Sequence, residues 1–357
     1  MKKLIITLII GSSISIIALY YSFQNVPYNE FVDYLITINY LWIIPTLIMS
    51  LINVIFRVIR WQVILKSVET VPFKTAYHLT MIGFMMNFVL PGRVGEVAKP
   101  YLLKKQINIT FMSGLASVAA ERIFDMLTLI VLLIYSLNKL IIPSDISISF
   151  GDIILSKATL DNIVEKTIIF SLIIIILLTV LLLKKTRIII INIINKIPYL
   201  IFFAQKKTQN KICLKICKPL TEMIENTASV FSIIKSPYKI FQCVAYSLLL
   251  WLTSVLTYYV MSFGCPGIEL SFFEAIAFLV IICIFISLPS VPGFWGLWEA
   301  GGVFALAIFG IIQKQALGFV LLTHVLIIVP MIILGYISAI MTGTEILKYA
   351  SFQQNNT

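Results

Sequence analysis

From residue 316 to residue 342 the chain carries no Asp, Glu, Lys or Arg. A run of that length can satisfy its backbone in hydrocarbon only by coiling into a helix, because no water is present there to take its N–H and C=O groups. Comparable runs, each near the roughly 20 apolar residues a bilayer requires, lie close to 4–23, 35–56, 167–183 and 240–262. Hydrophobic residues make up 60% of the 357 positions and charged ones 12%, which is far from the balance of a soluble globular domain. The expected fold class is an all-α polytopic membrane protein.

A sixth span, near 111–138, is less obvious because its first half is charged: AAERIFDMLTLIVLLIYSL, from Ala119 to Leu137. The uncharged part from Met126 to Leu137 would reach about 18 Å as a helix, too short for a hydrocarbon core of about 30 Å. The helix must therefore continue back through Asp125, Arg122 and Glu121. Each such group costs about 2.5 to 3.5 kcal/mol at a helix centre, so all three need partners or water. Glu121 and Asp125, four apart, share a face, while Arg122 points to a neighbouring helix or a bound anion. A plainer reading makes the three an ion-pair cluster that only positions helices.

Two further apolar regions are interrupted. NFVLPGRVGE, residues 87–96, breaks one; LPSVPGFWGLWEAGG, residues 288–302, breaks the other. Basic residues collect on the cytoplasmic side of membrane proteins, and the formal charge is +11. The segment 24–34 has Glu30 and Asp33 and no Lys or Arg, whereas 57–74 has Arg57, Arg60, Lys66 and Lys74. The loop 184–239 holds eleven basic residues against Glu222 and Glu225, and 140–166 holds four acids against Lys157 and Lys166. This pattern places both termini in the cytoplasm. It also makes the region 76–105 enter and leave from the cytoplasm, and the region 272–312 enter and leave from outside.

Six full spans and two re-entrant hairpins then form an inverted repeat: a first half over 1–140, an outer loop over 141–166, a second half over 167–345, and a polar tail over 346–357. Interrupted segments at matching places in two inverted halves point to a transporter with its site near the midplane. Pro91, Gly92, Gly95 and Glu96 are echoed by Pro292, Gly293, Gly296 and Glu299, with Pro289 completing the second break. The alternative is a pair of short helices at each place, joined by a surface turn.

Chemistry is expected at these breaks. Pro91 ends a helix by removing a donor, and Gly92 and Gly95 permit a tight turn with exposed N–H groups. Those groups, with the positive end of a restarting helix, suit an anion, and Arg93 and Lys99 suit phosphate. Asn87 can satisfy backbone freed by the break. Glu96 can hold Arg93 or Arg122. Glu299 has no basic neighbour in sequence, so Arg93 or Arg122 across the repeat axis is its expected partner. Ordinary decoration of the cytoplasmic face also accounts for Arg93 and Lys99, and belt anchoring accounts for Trp295 and Trp298. His78 and His324 read as hydrogen-bonded helix contacts, with proton relay as the sharper alternative. Spaced apolar residues in the basic loop, such as Leu214, Ile216 and Leu220, suit an amphipathic helix on anionic inner-leaflet lipid. The five cysteines have no metal-chelating spacing, no cofactor is implied, and the basic excess is weak evidence for nucleic acid. A homo-oligomer is compatible with the sequence.

NFVLPGRVGE, the downstream ERIFD, and LPSVPGFWGLWEAG before a final apolar helix with Pro330 and Gly335 together resemble the flippase-like transmembrane domain family. That family includes the membrane half of bacterial lysylphosphatidylglycerol synthases, the multiple peptide resistance factors, and many stand-alone bacterial and archaeal proteins. The resemblance covers essentially the whole chain and implies movement of a lipid between leaflets of a prokaryotic plasma membrane. Aminoacylated phosphatidylglycerol and a polyprenyl-phosphate-linked sugar are the implied cargoes, and Arg93, Glu96, Arg122, Asp125 and Glu299 match the family's motif positions. The soluble aminoacyl-transferase domain of the full synthases is not found before Thr357, so synthase activity is not expected. A membrane enzyme using Glu121 and Asp125 as acid and base, or a non-transporting partner of a glycosyltransferase, remain the other classes.

Overall fold

The structure, a computed structural model, describes residues 2–24, 26–137, 139, 147–150, 153–156, 183–200, 213–230, 236–288 and 291–344, with isolated positions between 162 and 176. The expected span at 167–183, most of the outer loop, Pro289, parts of the basic loop and the polar tail lie outside those residues.

Helix α1 (Lys2–Phe23) leads into a short α2 (Tyr28–Thr37) and, through a tight turn at Tyr40–Trp42, into α3 (Ile43–Leu65). Then follow α4 (Phe73–Val89), α5 (Val94–Ile107) and α6 (Phe111–Leu137). A small antiparallel hairpin, β1 (Ser147–Phe150) with β2 (Ile153–Ser156), places Ser147 opposite Ser156. The basic region forms α7 (Lys184–Leu200) and α8 (Lys218–Val230). The remainder is α9 (Pro237–Ser262), α10 (Phe272–Ile286), α11 (Leu297–Ile308) and α12 (Gln313–Met341). Three stretches, 40–65, 237–262 and 313–341, are long and apolar enough to cross a membrane. Apart from the hairpin, the helical class is as expected.

Local chemistry sets several boundaries. Ser271 and Glu274 form a reciprocal cap on α10, with the Ser271 Oγ accepting from the Glu274 N–H and the Glu274 carboxylate accepting from the Ser271 N–H at 2.7 Å. Helix α9 starts with Pro237 at its first position, where a missing N–H costs nothing, and Ser236 caps it. One boundary differs from expectation: the span expected at 35–56 is α3, from Ile43 to Leu65. Arg57 and Arg60 end an apolar run in sequence, yet both lie inside this helix and both are buried. Ion pairing inside the bundle lets the helix continue past them.

Helices α3 and α9 pack along one another, and Asn53 fastens them by donating to the Leu250 carbonyl and to Ser254 Oγ. Helix α4 packs on α12 and α10 packs on α6, while α5 rests on α6 and α11 on α12. Two apolar cores result. One joins α9 to α12 around Leu250, Val255, Phe278 and Phe319; the other joins α3, α4 and α5 to the end of α12 around Val58, Leu79, Met86 and Met331. In hydrocarbon such contacts depend on backbone approach between small residues rather than on expulsion of water. At the α4–α5 crossing a Cβ on Gly95 would collide with the Gly83 carbonyl, so glycine is required there. The basic region is not only a surface helix. Ile224, Ala228 and Val230 of α8 are buried, and α8 packs on α6, while Leu214 and Ile216 are exposed.

Candidate functional site

The charged half of α6 finds its partners on three other helices. Asp125, 4% exposed, accepts from Arg60 Nη1 at 2.7 Å and from Trp251 Nε1 at 3.1 Å. It also faces Arg57 at 3.5 Å and Arg122 at 3.4 Å, so one carboxylate meets three guanidinium groups. Arg60 donates additionally to Ser247 Oγ at 2.8 Å. One turn earlier, Glu121 accepts from Lys99 Nζ at 2.7 Å, and the same ammonium lies 3.8 Å from the centre of the Trp61 ring. Glu121 and Asp125 share the buried face that their spacing implies, each with its own cation. Arg122 leaves in another direction and meets Glu96 at 3.7 Å.

The first break belongs to the same network. Gly92 and Arg93 both take left-handed backbone conformations, φ 79° and 55°, and reverse the chain between α4 and α5. Glu96 is 4.0 Å from Arg93, so a chain of charges runs from Arg93 through Glu96 and Arg122 to Asp125. The start of α5 is not an open anion seat, because its donors are already engaged. Asn87 Oδ1 accepts from the Gly95 N–H at 2.8 Å, and the Glu96 N–H bonds to the Arg93 carbonyl at 3.0 Å. Arg93 has a different task from direct anion recognition: its Nη2 donates to the Ile286 carbonyl at 2.7 Å, satisfying a free acceptor at the end of α10. It also lies over the Phe294 ring. Phe88 and Phe294 meet edge to face, which brings the tips of the two breaks together.

The second break is built differently. Glu299 does not reach Arg93 or Arg122. Its Oε2 accepts from the Gly296 N–H at 2.6 Å, and its Oε1 is 2.6 Å from His324 Nδ1. His324 Nε2 lies 2.9 Å from the Gly293 carbonyl, which can only accept, so Nε2 carries a proton. One further proton is shared between Nδ1 and the carboxylate, and the pair is uncharged overall wherever it sits. Both side chains are 0% exposed. Trp298 stacks on the imidazole at 4.3 Å and 11° and is itself buried, so the membrane-belt reading does not hold for it. Trp295 also packs on His324, and it is more exposed. Gly293 and Gly296, at φ 74° and 88°, and Pro292 shape this turn. His78 makes a helix contact, with its Nδ1 3.1 Å from Ser338 Oγ.

A cavity of about 170 Å³ lies between α3, α4, α9, α10, α11 and α12. Arg57, Asn53, Ser254, Thr257 and Trp298 supply its polar lining, and Ile282, Ile327 and Met331 part of its apolar lining. A smaller space beside it is lined by Asn87, Glu96, Lys99, Glu121 and Arg122, and Arg57 and Phe84 border both. Arg57, Arg60 and Asn53 did not emerge as site residues from sequence. The available signal was spacing: Ser50, Asn53, Arg57 and Arg60 recur every three or four residues beside the buried Val54, Val58 and Trp61.

A family model described as the lysylphosphatidylglycerol synthase TM region matches residues 8–335. The chain belongs to this family. A glycosyltransferase, AglD, of Haloferax volcanii is 28% identical over 128 residues, which are 35% of this chain and 20% of that protein. The UPF0104 membrane protein MJ1078 of Methanocaldococcus jannaschii is 39% identical over 75 residues, 20% of this chain and 32% of that one. The matched segments thus span a third or less of these relatives of the synthase membrane region. No solved structure matches the chain. Membership and the apolar helices together make it a multi-pass membrane protein.

Proposed function

We propose that this protein moves a lipid between membrane leaflets, binding its headgroup in the cavity between α3, α4, α9 and α10. The observation that carries this reading is the linked set of charged residues buried beside that cavity, contributed by α3, α5 and α6, since intramembrane ionisable groups mark substrate pathways by default. In this reading α4–α5 and α10–α11 are re-entrant hairpins inserted from opposite sides, and the chain is an inverted repeat with both termini in the cytoplasm of a prokaryote. Support comes from matching positions. Glu96 and Glu299 are each the third residue of their helix, and Arg122 and His324 are each the twelfth residue of the helix that follows.

Packing supports it too, because the first arm of each hairpin lies on the last span of the other half and the second arm on the last span of its own. A rocking motion of the halves would expose the cavity to each leaflet alternately. The similarity to a protein named a glycosyltransferase favours a sugar-carrying lipid as cargo. Enzymatic acid–base work by Glu121 and Asp125 is disfavoured by their cation partners, which leave neither carboxylate free for a substrate proton.

The test is flipping of a fluorescent headgroup-labelled phospholipid in reconstituted vesicles. Arg122 is 46% exposed, so Arg122→Ala leaves the fold in place. We expect it to slow flipping at least about tenfold by removing a charge-assisted contact. Product formation without movement of the label, or no movement with the unsubstituted protein for any labelled lipid, would end the transport reading.

A further inference from the structure

The linked charges do not balance. Arg57, Arg60, Arg93, Lys99 and Arg122 face Glu96, Glu121 and Asp125, five cations against three carboxylates, so the described cluster carries two uncompensated positive charges. Moving a proton within the Lys99–Glu121 pair leaves that sum unchanged, and the Glu299–His324 pair adds nothing to it. Uncompensated charge inside hydrocarbon requires a counter-charge. Donors inside the cavity are also unused. Arg57, 9% exposed, lies beside the rings of Phe84 and Trp251, and its Nε has no hydrogen-bond partner among the described residues. The Nε1 of Trp298, 6% exposed, has none either, although the side chain lines the same cavity. Buried donors without acceptors are uncommon in folded proteins.

We infer that this cavity is a site for the phosphate of an anionic lipid, held by Arg57 with the Trp298 indole N–H, its hydrocarbon chain lying along Leu279, Ile282, Ile327 and Met331. Arg57 presents a planar fork that matches phosphate oxygens, and Asn53, Ser254 and Thr257 line the same space with polar groups. A phosphomonoester on an isoprenoid or acyl chain brings up to two negative charges and closes the count. A lysine-bearing phospholipid brings a net positive charge and widens it. The site deepens the transport reading and separates the two cargoes that family resemblance leaves open, in favour of the anionic one.

Isothermal titration of the purified full chain in detergent with farnesyl phosphate, farnesol, inorganic phosphate and a short-chain lysyl-phosphatidylglycerol tests it. Farnesyl phosphate should bind at least about tenfold more tightly than each of the other three, since only it offers both the charge and the apolar burial. Inorganic phosphate binding as well as the prenylated compound would mean a free-anion site and overturn the lipid assignment. Equal affinity for farnesol or for the lysyl lipid would overturn the anionic one. Arg57→Gln should weaken farnesyl phosphate about tenfold and Arg57→Lys less, because the charge is retained and the fork lost.

Thr257→Leu fills the cavity without touching the ion pairs and should weaken binding while leaving the unfolding midpoint close to that of the parent. Unchanged binding in both Arg57→Gln and Thr257→Leu overturns the site. Flipping measured in parallel keeps the two readings distinct: anion-selective binding without transport ends the transport reading alone, and transport without anion-selective binding ends this site alone.

Discussion

The two helix breaks look alike in sequence and differ in chemistry. At the first, Glu96 stands 3.7 Å from Arg122 and 4.0 Å from Arg93, on side chains that are between 29% and 46% exposed. At the second, Glu299 is 2.6 Å from His324, both are fully buried, and two tryptophan rings cover the imidazole. An acid at the third position of a helix and a basic residue on the following span recur in both places. The first version is open, charged and continuous with Asp125 and Arg57; the second is closed and neutral. The comparison assigns ligand chemistry to the first break and anchoring to the second.

The largest expected effect lies in the closed version. Glu299→Gln puts an amide between the Gly296 N–H and a histidine held from both sides by acceptors, and removes the shared proton's second site. Breaking one partner of a buried pair costs about 3 to 5 kcal/mol, so thermal unfolding in detergent should show a large fall in midpoint, with His324→Ala falling comparably. A variant that unfolds like the parent would show that the second break is no anchor, and the contrast with the first would disappear.

An intermediate effect separates backbone approach from charge at the open break. Gly95→Ala forces a Cβ against the Gly83 carbonyl, which is backbone and cannot turn aside. At the second break, Gly302→Ala meets only the Val320 side chain. Overpacking of this kind costs about 1 to 3 kcal/mol, and the Gly95 variant should sit at the upper end with the Gly302 variant below it. The reverse order in unfolding midpoints would mean that the α4–α5 crossing yields more readily than α11–α12.

Much of this arrangement was legible in sequence, for definite reasons. Asp125, Arg122 and Glu121 were placed inside a span because twelve uncharged residues cannot cross a bilayer. The breaks were located because proline and glycine interrupt helices by covalent geometry, which tertiary context does not remove. Partners were not legible. Glu299 was expected to meet an arginine, yet the imidazole that it meets lies 25 positions on, across the α11–α12 crossing. Arg57 and Arg60 were read as loop charges because a positive residue at the end of an apolar run has the same sequence appearance whether it faces water or an aspartate. Trp298 failed for a similar reason: an indole suits a headgroup belt and a stacked histidine equally well. What sequence lacked in each case was the neighbouring helix.

The smallest effect is the sharpest check on the comparison. Glu96→Gln removes a carboxylate from an open pair whose distances exceed those of a hydrogen bond, so its contribution to stability should stay below about 1 kcal/mol. The unfolding midpoint should scarcely move. Function should respond in the opposite sense, because deleting this acid raises the uncompensated positive charge of the cluster by one. Farnesyl phosphate should then bind somewhat more tightly, and the midpoint in its presence should rise further than it does for the parent, since a ligand that binds only the folded state stabilises in proportion to its occupancy. A collapse in stability as large as that of Glu299→Gln would make Glu96 a second anchor and leave the two breaks physically equivalent. Weaker farnesyl phosphate binding in a stable Glu96→Gln protein would place Glu96 among the groups that hold Arg93 and Arg122 in position, rather than among those that merely offset their charge.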